Sequence, residues 1–182
     1  MILKNYDLNK LDISKNNIFL FYGQNQGAKE EEIDKIIHKN KLVVNKYDEK
    51  QVVDNIENIH NELFSQSLFE EKKIIILNRV TDKLFKLIEA LEDKNLAHIT
   101  LIVNSDSLDK KSKIRAFFEK SKKFVCVAFY PDNLDTLSKI ALNFLKKENI
   151  TISQANINFI VNKCNGDRGI LKNELNKIKF FV

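Results

Sequence analysis

Phe19-Leu-Phe-Tyr-Gly23-Gln-Asn-Gln-Gly27-Ala-Lys29-Glu30-Glu31-Glu32 joins an apolar, aromatic run to a glycine-punctuated turn and then to a charged stretch. Ile33, Ile36 and Ile37 continue that stretch and share one face, because residues three and four apart lie on the same side of a helix. Strand, tight turn and helix in this order is how an α/β sheet begins. Four more short apolar runs follow: Leu42–Val44, Ile74–Leu77, Ile99–Val103 and Phe124–Phe129, with Ile18–Tyr22 the first of five. Such continuous runs, rich in β-branched and aromatic residues, read as strands buried on both faces of a parallel sheet. Between them lie helical stripes: Val52, Val53, Ile56, Ile59 and Leu63; Leu84, Leu87, Ile88 and Leu91; Ile114, Phe117 and Phe118.

The alternation stops at Phe129. The single proline, Pro131, sits in Tyr130-Pro-Asp-Asn, and three helical segments follow. They carry Leu134, Leu137, Ile140, Ala141, Phe144 and Leu145, then Ile157, Ile160, Val161 and Cys164, then Leu171, Leu175, Ile178 and Phe181/Val182. Gly166 stops the second and Asp167 is placed to cap the third. The expected organisation is an α/β domain over residues 1–131 and a small three-helix domain over 132–182. The last stripe is still running at Val182, which reads as a chain with more to follow.

The turn after the first strand has the outline of a phosphate loop but not its chemistry. In the working motif, GxxxxGK[ST], backbone amides cradle phosphate, Lys neutralises it and a hydroxyl holds magnesium. Here Gly23 and Gly27 are spaced one residue short, Ala28 separates Gly27 from Lys29, and Glu30 stands in the hydroxyl position. Carboxylates at Glu30–Glu32 suit a helix dipole and repel a triphosphate. The third run ends Ile76-Leu77-Asn78-Arg79, without an acidic pair for a magnesium ion. Gly23, Gly27 and Lys29 therefore read as a degenerate phosphate loop, with no nucleotide or other cofactor expected.

Composition narrows the classes further. The 182 residues carry 30 Lys+Arg against 25 Asp+Glu, a net charge of +5, and 43% hydrophobic residues. That fraction supports a core and excludes wholesale disorder. No apolar run approaches the roughly 20 residues of a membrane span, and the N-terminus has no leader-like pattern, so a cytoplasmic protein is expected. Lysine supplies 27 of the 30 cations and asparagine occurs 22 times, the bias of an AT-rich coding sequence. Cys126 and Cys164 lie far apart, and His38, His60 and His98 are isolated. No zinc spacing and no nucleophile–base arrangement emerges, so metal and catalytic residues are expected to be absent.

Two segments suggest partners. Residues 109–123 hold seven cations (among them Lys110, Lys111, Lys113 and Arg115) and two anions. They read as contacts for DNA phosphate, as a surface towards a neighbouring subunit, or as a solvated helix face. Ahead of the third strand, Leu63-Phe64-Ser65-Gln66-Ser67-Leu68-Phe69-Glu70-Glu71-Lys72-Lys73 places two large apolar residues between polar ones and four charges. An exposed Leu-Phe step is what a protein-binding anchor requires; the alternative is a flap folded over the sheet edge.

Ser67-Leu-Phe-Glu followed by Lys73-Ile-Ile-Ile-Leu resembles the delta subunit of the bacterial DNA polymerase III clamp loader. So do Ile18-Phe-Leu-Phe-Tyr-Gly, Leu108-Asp-Lys-Lys-Ser-Lys-Ile-Arg and Asn165-Gly-Asp-Arg-Gly-Ile-Leu-Lys-Asn-Glu-Leu-Asn-Lys-Ile. The resemblance covers nearly the whole chain. It implies a RecA-like AAA+ domain, a helical lid domain and a collar domain beyond Val182. It also implies a subunit without ATPase activity inside a polymerase holoenzyme. Its partners would be the sliding clamp (the beta subunit), the other loader subunits and primed DNA in the assembled complex. Leu68 and Phe69, with Ser67 and Gln66, match the family's clamp-binding positions. Many clamp-binding peptides place Gln three residues before the Leu, where this chain has Ser65. The alternative function is an active AAA+ ATPase acting on DNA, which the missing hydroxyl after Lys29 and the missing acidic pair after Leu77 count against.

Overall fold

The computed structural model describes residues 2–4, 16–40, 42–64, 72–92, 94 and 96–181. The first of the five expected strands, Ile18–Tyr22 (β2), is buried along its full length. Its neighbours are Val43–Asp48 (β3), Lys73–Asn78 (β4), Ile99–Asn104 (β5) and Val125–Ala128 (β6). A further strand, Ile2–Lys4 (β1), pairs with β6. Only two apolar residues before a lysine mark it in the sequence, too few for a periodic signal. The sheet runs β1-β6-β2-β5-β4-β3, and every pairing is parallel.

Parallel strands need long crossovers, and helices supply them. Gln26–Asn40 (α1) follows β2; Glu49–Asp54 (α2) and Ile56–Phe64 (α3) follow β3. Phe85–Glu89 (α4) follows β4, and Lys113–Lys120 (α5) follows β5. One sheet face presents Ile18, Leu20, Tyr22, Ile75, Leu77, Leu101, Val103 and Cys126 to Val52, Ile59, Leu63, Leu84, Leu87, Ile88, Leu91, Ile114 and Phe118. Phe19, Phe21, Ile74, Ile76, Ile102, Val125 and Val127, on the opposite face, are buried too. Burial on both sides explains why these runs read as unbroken apolar segments.

Two details differ from the sequence expectation. The Leu42–Val44 run belongs to an edge strand whose residues are only half-buried, with Val43 62% exposed. An edge strand has a neighbour on one side only, so it needs less apolar cover. The stripe from Val52 to Leu63 spans two helices that part at Asn55, and its middle members Val53 and Ile56 are exposed.

Backbone contacts group the described residues into two compact units. One takes the residues up to Gly23 with Glu32–Ala128, and holds the sheet. The other joins Gln24–Glu31 to the segment from Phe129 onward, so the first turns of α1 belong with the C-terminal helices. Those helices are Leu134–Lys147 (α6), Gln154–Lys163 (α7) and Arg168–Phe181 (α8). They close on Leu137, Ala141, Leu145, Ile157, Val161, Cys164, Leu171 and Leu175. Phe181 does not continue that stripe inward: it is 90% exposed. Asn133 and Ser153 cap α6 and α7, accepting from the Thr136 and Asn156 amides at 2.8 and 3.3 Å. Both cysteines are buried free thiols. No helix among the described residues is long and apolar enough to cross a membrane.

Edge strand β3 is fastened to α3 through Glu62. Its carboxylate accepts from the Tyr47 hydroxyl at 2.8 Å and from Asn45 Nδ2 at 2.6 Å, with Lys73 Nζ at 3.8 Å. Burial, then the Glu62 hydrogen bond and charge, pushes the Tyr47 phenol from 10.0 up to about 12. The neutral phenol is the form the fold favours, so its stabilising contribution is complete below pH 10 and is lost as pH rises through about 12. Absorbance titration is expected to show one tyrosine ionising near 12, moved back towards the ordinary value in Glu62→Gln. An unmoved titration in that variant would refute the assignment.

Candidate functional site

The loop after β2 lies where the chain first leaves the middle of the sheet, between β5 on one side and β6 on the other. In doubly wound sheets this is where ligands bind. Gly23 turns the chain with φ 127°, a conformation open to glycine and few others, and its amide donates to the Asp106 carbonyl at 3.2 Å. Helix α1 starts at Gln26, so Glu30–Glu32 fall in its second turn, beyond the reach of the helix terminus. Glu30 is exposed and Glu32 pairs with Lys35 at 2.5 Å. Lys29, the counterpart of the phosphate-binding lysine, is fully buried.

A helix leaves its first amides without internal acceptors, and a phosphate loop offers them to its ligand. In this chain two of these first amides, those of Gln26 and Ala28, are taken. Ala28 N donates to Asn25 Oδ1 at 3.1 Å, Lys29 N to the Asn25 carbonyl at 3.2 Å, and Gln26 N to Asp167 Oδ2 at 3.0 Å. Gly27 meets Gly169 backbone to backbone: a Cβ on Gly27 would lie 1.9 Å from the Gly169 nitrogen.

The facing turn is Asn165-Gly-Asp-Arg-Gly169. Asn165 and Gly166 take positive φ, 47° and 80°. A side chain at Gly166 would strike Pro131 Cβ at 2.5 Å. Asp167 Oδ1 caps α8, accepting from Gly169 N at 2.6 Å and Ile170 N at 3.1 Å. The Arg168 guanidinium grips Asp132 with two bonds, 2.6 and 3.0 Å, and Glu31 with a third at 3.1 Å. Hydrogen bonding to Asp132 raises its pKa, more than burial lowers it. Asp132 also accepts from Asn25 Nδ2 at 2.8 Å. The capping role read for Asp167 is present. The ion pair of Arg168 is half-buried and two-pronged, more than a surface contact.

Where a nucleotide hydrolase would hold magnesium, β4 and β5 end side by side on amides. Asn104 Nδ2 donates to Asn78 Oδ1 at 3.0 Å, and the two residues are register partners. The buried Asn104 Oδ1 finds no hydrogen-bond partner among the described residues. No cluster of His, Cys, Asp and Glu among them is suited to a metal ion.

The basic segment is held by Asp82, which the sequence reading overlooked. Its carboxylate accepts from the Ser112 hydroxyl at 2.8 Å and the amides of Lys113 and Ile114 at 2.9 and 3.0 Å, capping α5. Burial works to raise its pKa, but these donors and the Lys113 charge outweigh it and hold the carboxyl below its ordinary value. Arg115 is turned inward: it donates to Glu119 at 2.8 Å and the Leu108 carbonyl at 3.0 Å, and lies over the Tyr22 ring at 5.0 Å. Lys110, Lys111 and Lys113 are exposed, and Lys111 borders a cleft of about 440 Å³ with Thr81, Lys83, Ser107 and Asp109. Gln66, Ser67, Leu68 and Phe69 lie outside the described residues.

No family model matches the chain. It is 25% identical over 120 residues to a protein described as a probable DNA polymerase III subunit delta from Rickettsia prowazekii (strain Madrid E), a match covering 66% of this chain and 37% of that one. Among solved structures it is similar to the Bacillus subtilis DNA clamp loader delta protein YqeN (TM-score 0.60, 14% identity, 97% of this chain and 57% of that one). It is also similar to the Thermotoga maritima RuvB branch migration motor (TM-score 0.60, 14% identity, 90% and 54%) and to domain III of the Thermotoga maritima initiator DnaA (TM-score 0.55, 14% identity, 97% and 80%). The chain thus has the RecA-like AAA+ fold and resembles DNA polymerase III delta, while spanning well under two thirds of the length of that relative.

Proposed function

We propose that this chain serves DNA replication as a clamp-loader subunit of the delta type, acting by binding and not by nucleotide chemistry. The observation that carries this reading is the occupied α1 terminus. A fold shared with nucleotide-driven machines is joined to a sequence similar to delta, and two of the amides that would face a phosphate, those of Ala28 and Gln26, are spent on Asn25 and Asp167. An active ATPase needs those donors, a hydroxyl after Lys29 and a carboxylate at Asn78.

In this reading Leu68 and Phe69, with Gln66 and Ser67, anchor a sliding clamp and help to open its ring. Binding opens a ring only when the open form is bound more tightly than the closed one. Capture of the cognate clamp by this chain tests the reading directly; a clamp that stays unbound at micromolar concentrations of both proteins would refute it.

The exposed Lys110, Lys111 and Lys113 are proposed to face the phosphates of primed DNA in the assembled loader. Each phosphate contact contributes about −0.9 to the slope of log affinity against log salt. Replacing all three by Ala is expected to flatten that slope by roughly 2–3. An unchanged slope assigns the three lysines to a neighbouring subunit instead.

A further inference from the structure

The clamp-loader reading explains why no ATP is needed; the structure adds how ATP is kept out, on grounds independent of that reading. The missing hydroxyl and carboxylates weaken magnesium binding, but they do not by themselves close a phosphate cradle. Two features of the C-terminal turn do. The Gly27–Gly169 contact leaves no space for even a methyl group on Gly27, so nothing else fits on that side of the loop. The Asp167 carboxylate reaches the Gln26 amide with one oxygen and the Gly169 and Ile170 amides with the other. It therefore joins the N-termini of α1 and α8, as an anion would. Around it, Arg168 ties Glu31 to Asp132, and Asn25 reaches Asp132, Tyr130 and the Arg168 amide, so the turn is held from several sides.

We infer that the Asn165–Gly169 turn is an intramolecular plug: Asp167 occupies in cis the place of a nucleotide phosphate and holds the loop closed. Nucleotide independence is then an autoinhibitory contact built into the fold, beyond the loss of hydrolytic residues.

The test uses the full chain, with inorganic pyrophosphate and Mg-ATP as probes in calorimetric titrations and amide hydrogen exchange as a second readout. The natural protein and Glu30→Thr are expected to bind neither probe, although Glu30→Thr restores the hydroxyl of the working motif. Asp167→Ala is expected to bind pyrophosphate, and its Gln26, Gly169 and Ile170 amides to exchange about tenfold faster, the loss of roughly one hydrogen bond each. Where the alanine variant does not fold, Asp167→Ser keeps an oxygen for α8 while falling short of Gln26. Mg-ATP binding by Glu30→Thr alone would overturn the inference. So would pyrophosphate binding by the natural protein. An opened variant that exchanges faster yet takes no pyrophosphate would also overturn it, because the carboxylate would then not be what excludes phosphate.

Discussion

Replacing Leu68 and Phe69 together by Ala is expected to weaken binding to the sliding clamp about a hundred- to ten-thousand-fold. Burying a large apolar side chain contributes roughly 1.5–3 kcal/mol, so in the clamp-binding reading the pair would contribute about 3–6 kcal/mol. Nothing else in residues 65–71 offers comparable apolar area: Ser65, Gln66 and Ser67 are small or polar and Glu70 and Glu71 are charged. Each single Ala variant should lose roughly half of the total in free energy. Surface plasmon resonance against immobilised clamp, with thermal melting to confirm that the variants fold, measures both. Affinity within twofold of the natural protein would remove the Leu-Phe step from the mechanism and leave the flap reading.

The second large effect falls on Arg168. Its guanidinium is 21% exposed and the Asp132 carboxylate only 9%, so truncation strands a nearly buried anion. Removing one partner of a buried pair costs about 3–5 kcal/mol. The lower end applies here, because Asp132 retains the Asn25 amide. Arg168→Ala should therefore cost roughly 3 kcal/mol and lower the melting temperature by about 6–12 °C. Arg168→Lys should recover only a small part, since a point charge cannot replace a two-pronged grip. Calorimetric melting of the three proteins decides it: a loss under about 1 kcal/mol, the worth of an exposed pair, would show that the network is solvated and weak.

The elements that were legible in the sequence are those whose signal is local and apolar. The runs that became β2, β4, β5 and β6 are buried on both faces, and their composition says so without knowledge of their partners. The stripe Leu84, Leu87, Ile88 and Leu91 is buried as its spacing implies. Strand β1 was illegible because its parallel partner β6 is more than a hundred residues away, and three residues carry no period. The departures from the phosphate-binding motif were legible in the spacing of Gly23 and Gly27 and the carboxylate at Glu30. What replaced it was not legible. Asn25, Asp132 and Asp167 form the sealed turn through hydrogen bonds spanning 107 to 141 residues, and single asparagines and aspartates between helices look alike whether they cap a helix or complete a distant network. Asp82 escaped notice for the same reason: it caps a helix that begins 31 residues later.

Grouping of Gln24–Glu31 with the C-terminal helices also bears on how the chain is made. The amide of Gln26 leaves the ribosome 141 residues before the carboxylate it meets. Closing a loop of that length is entropically costly before any contact repays it, and folds dominated by such distant pairings acquire their structure slowly. During synthesis the Gln26 amide must therefore wait, answered by water, until the start of α8 has emerged. The start of α1 is closed by a late stitch, and a nascent chain halted before residue 167 lacks the thread.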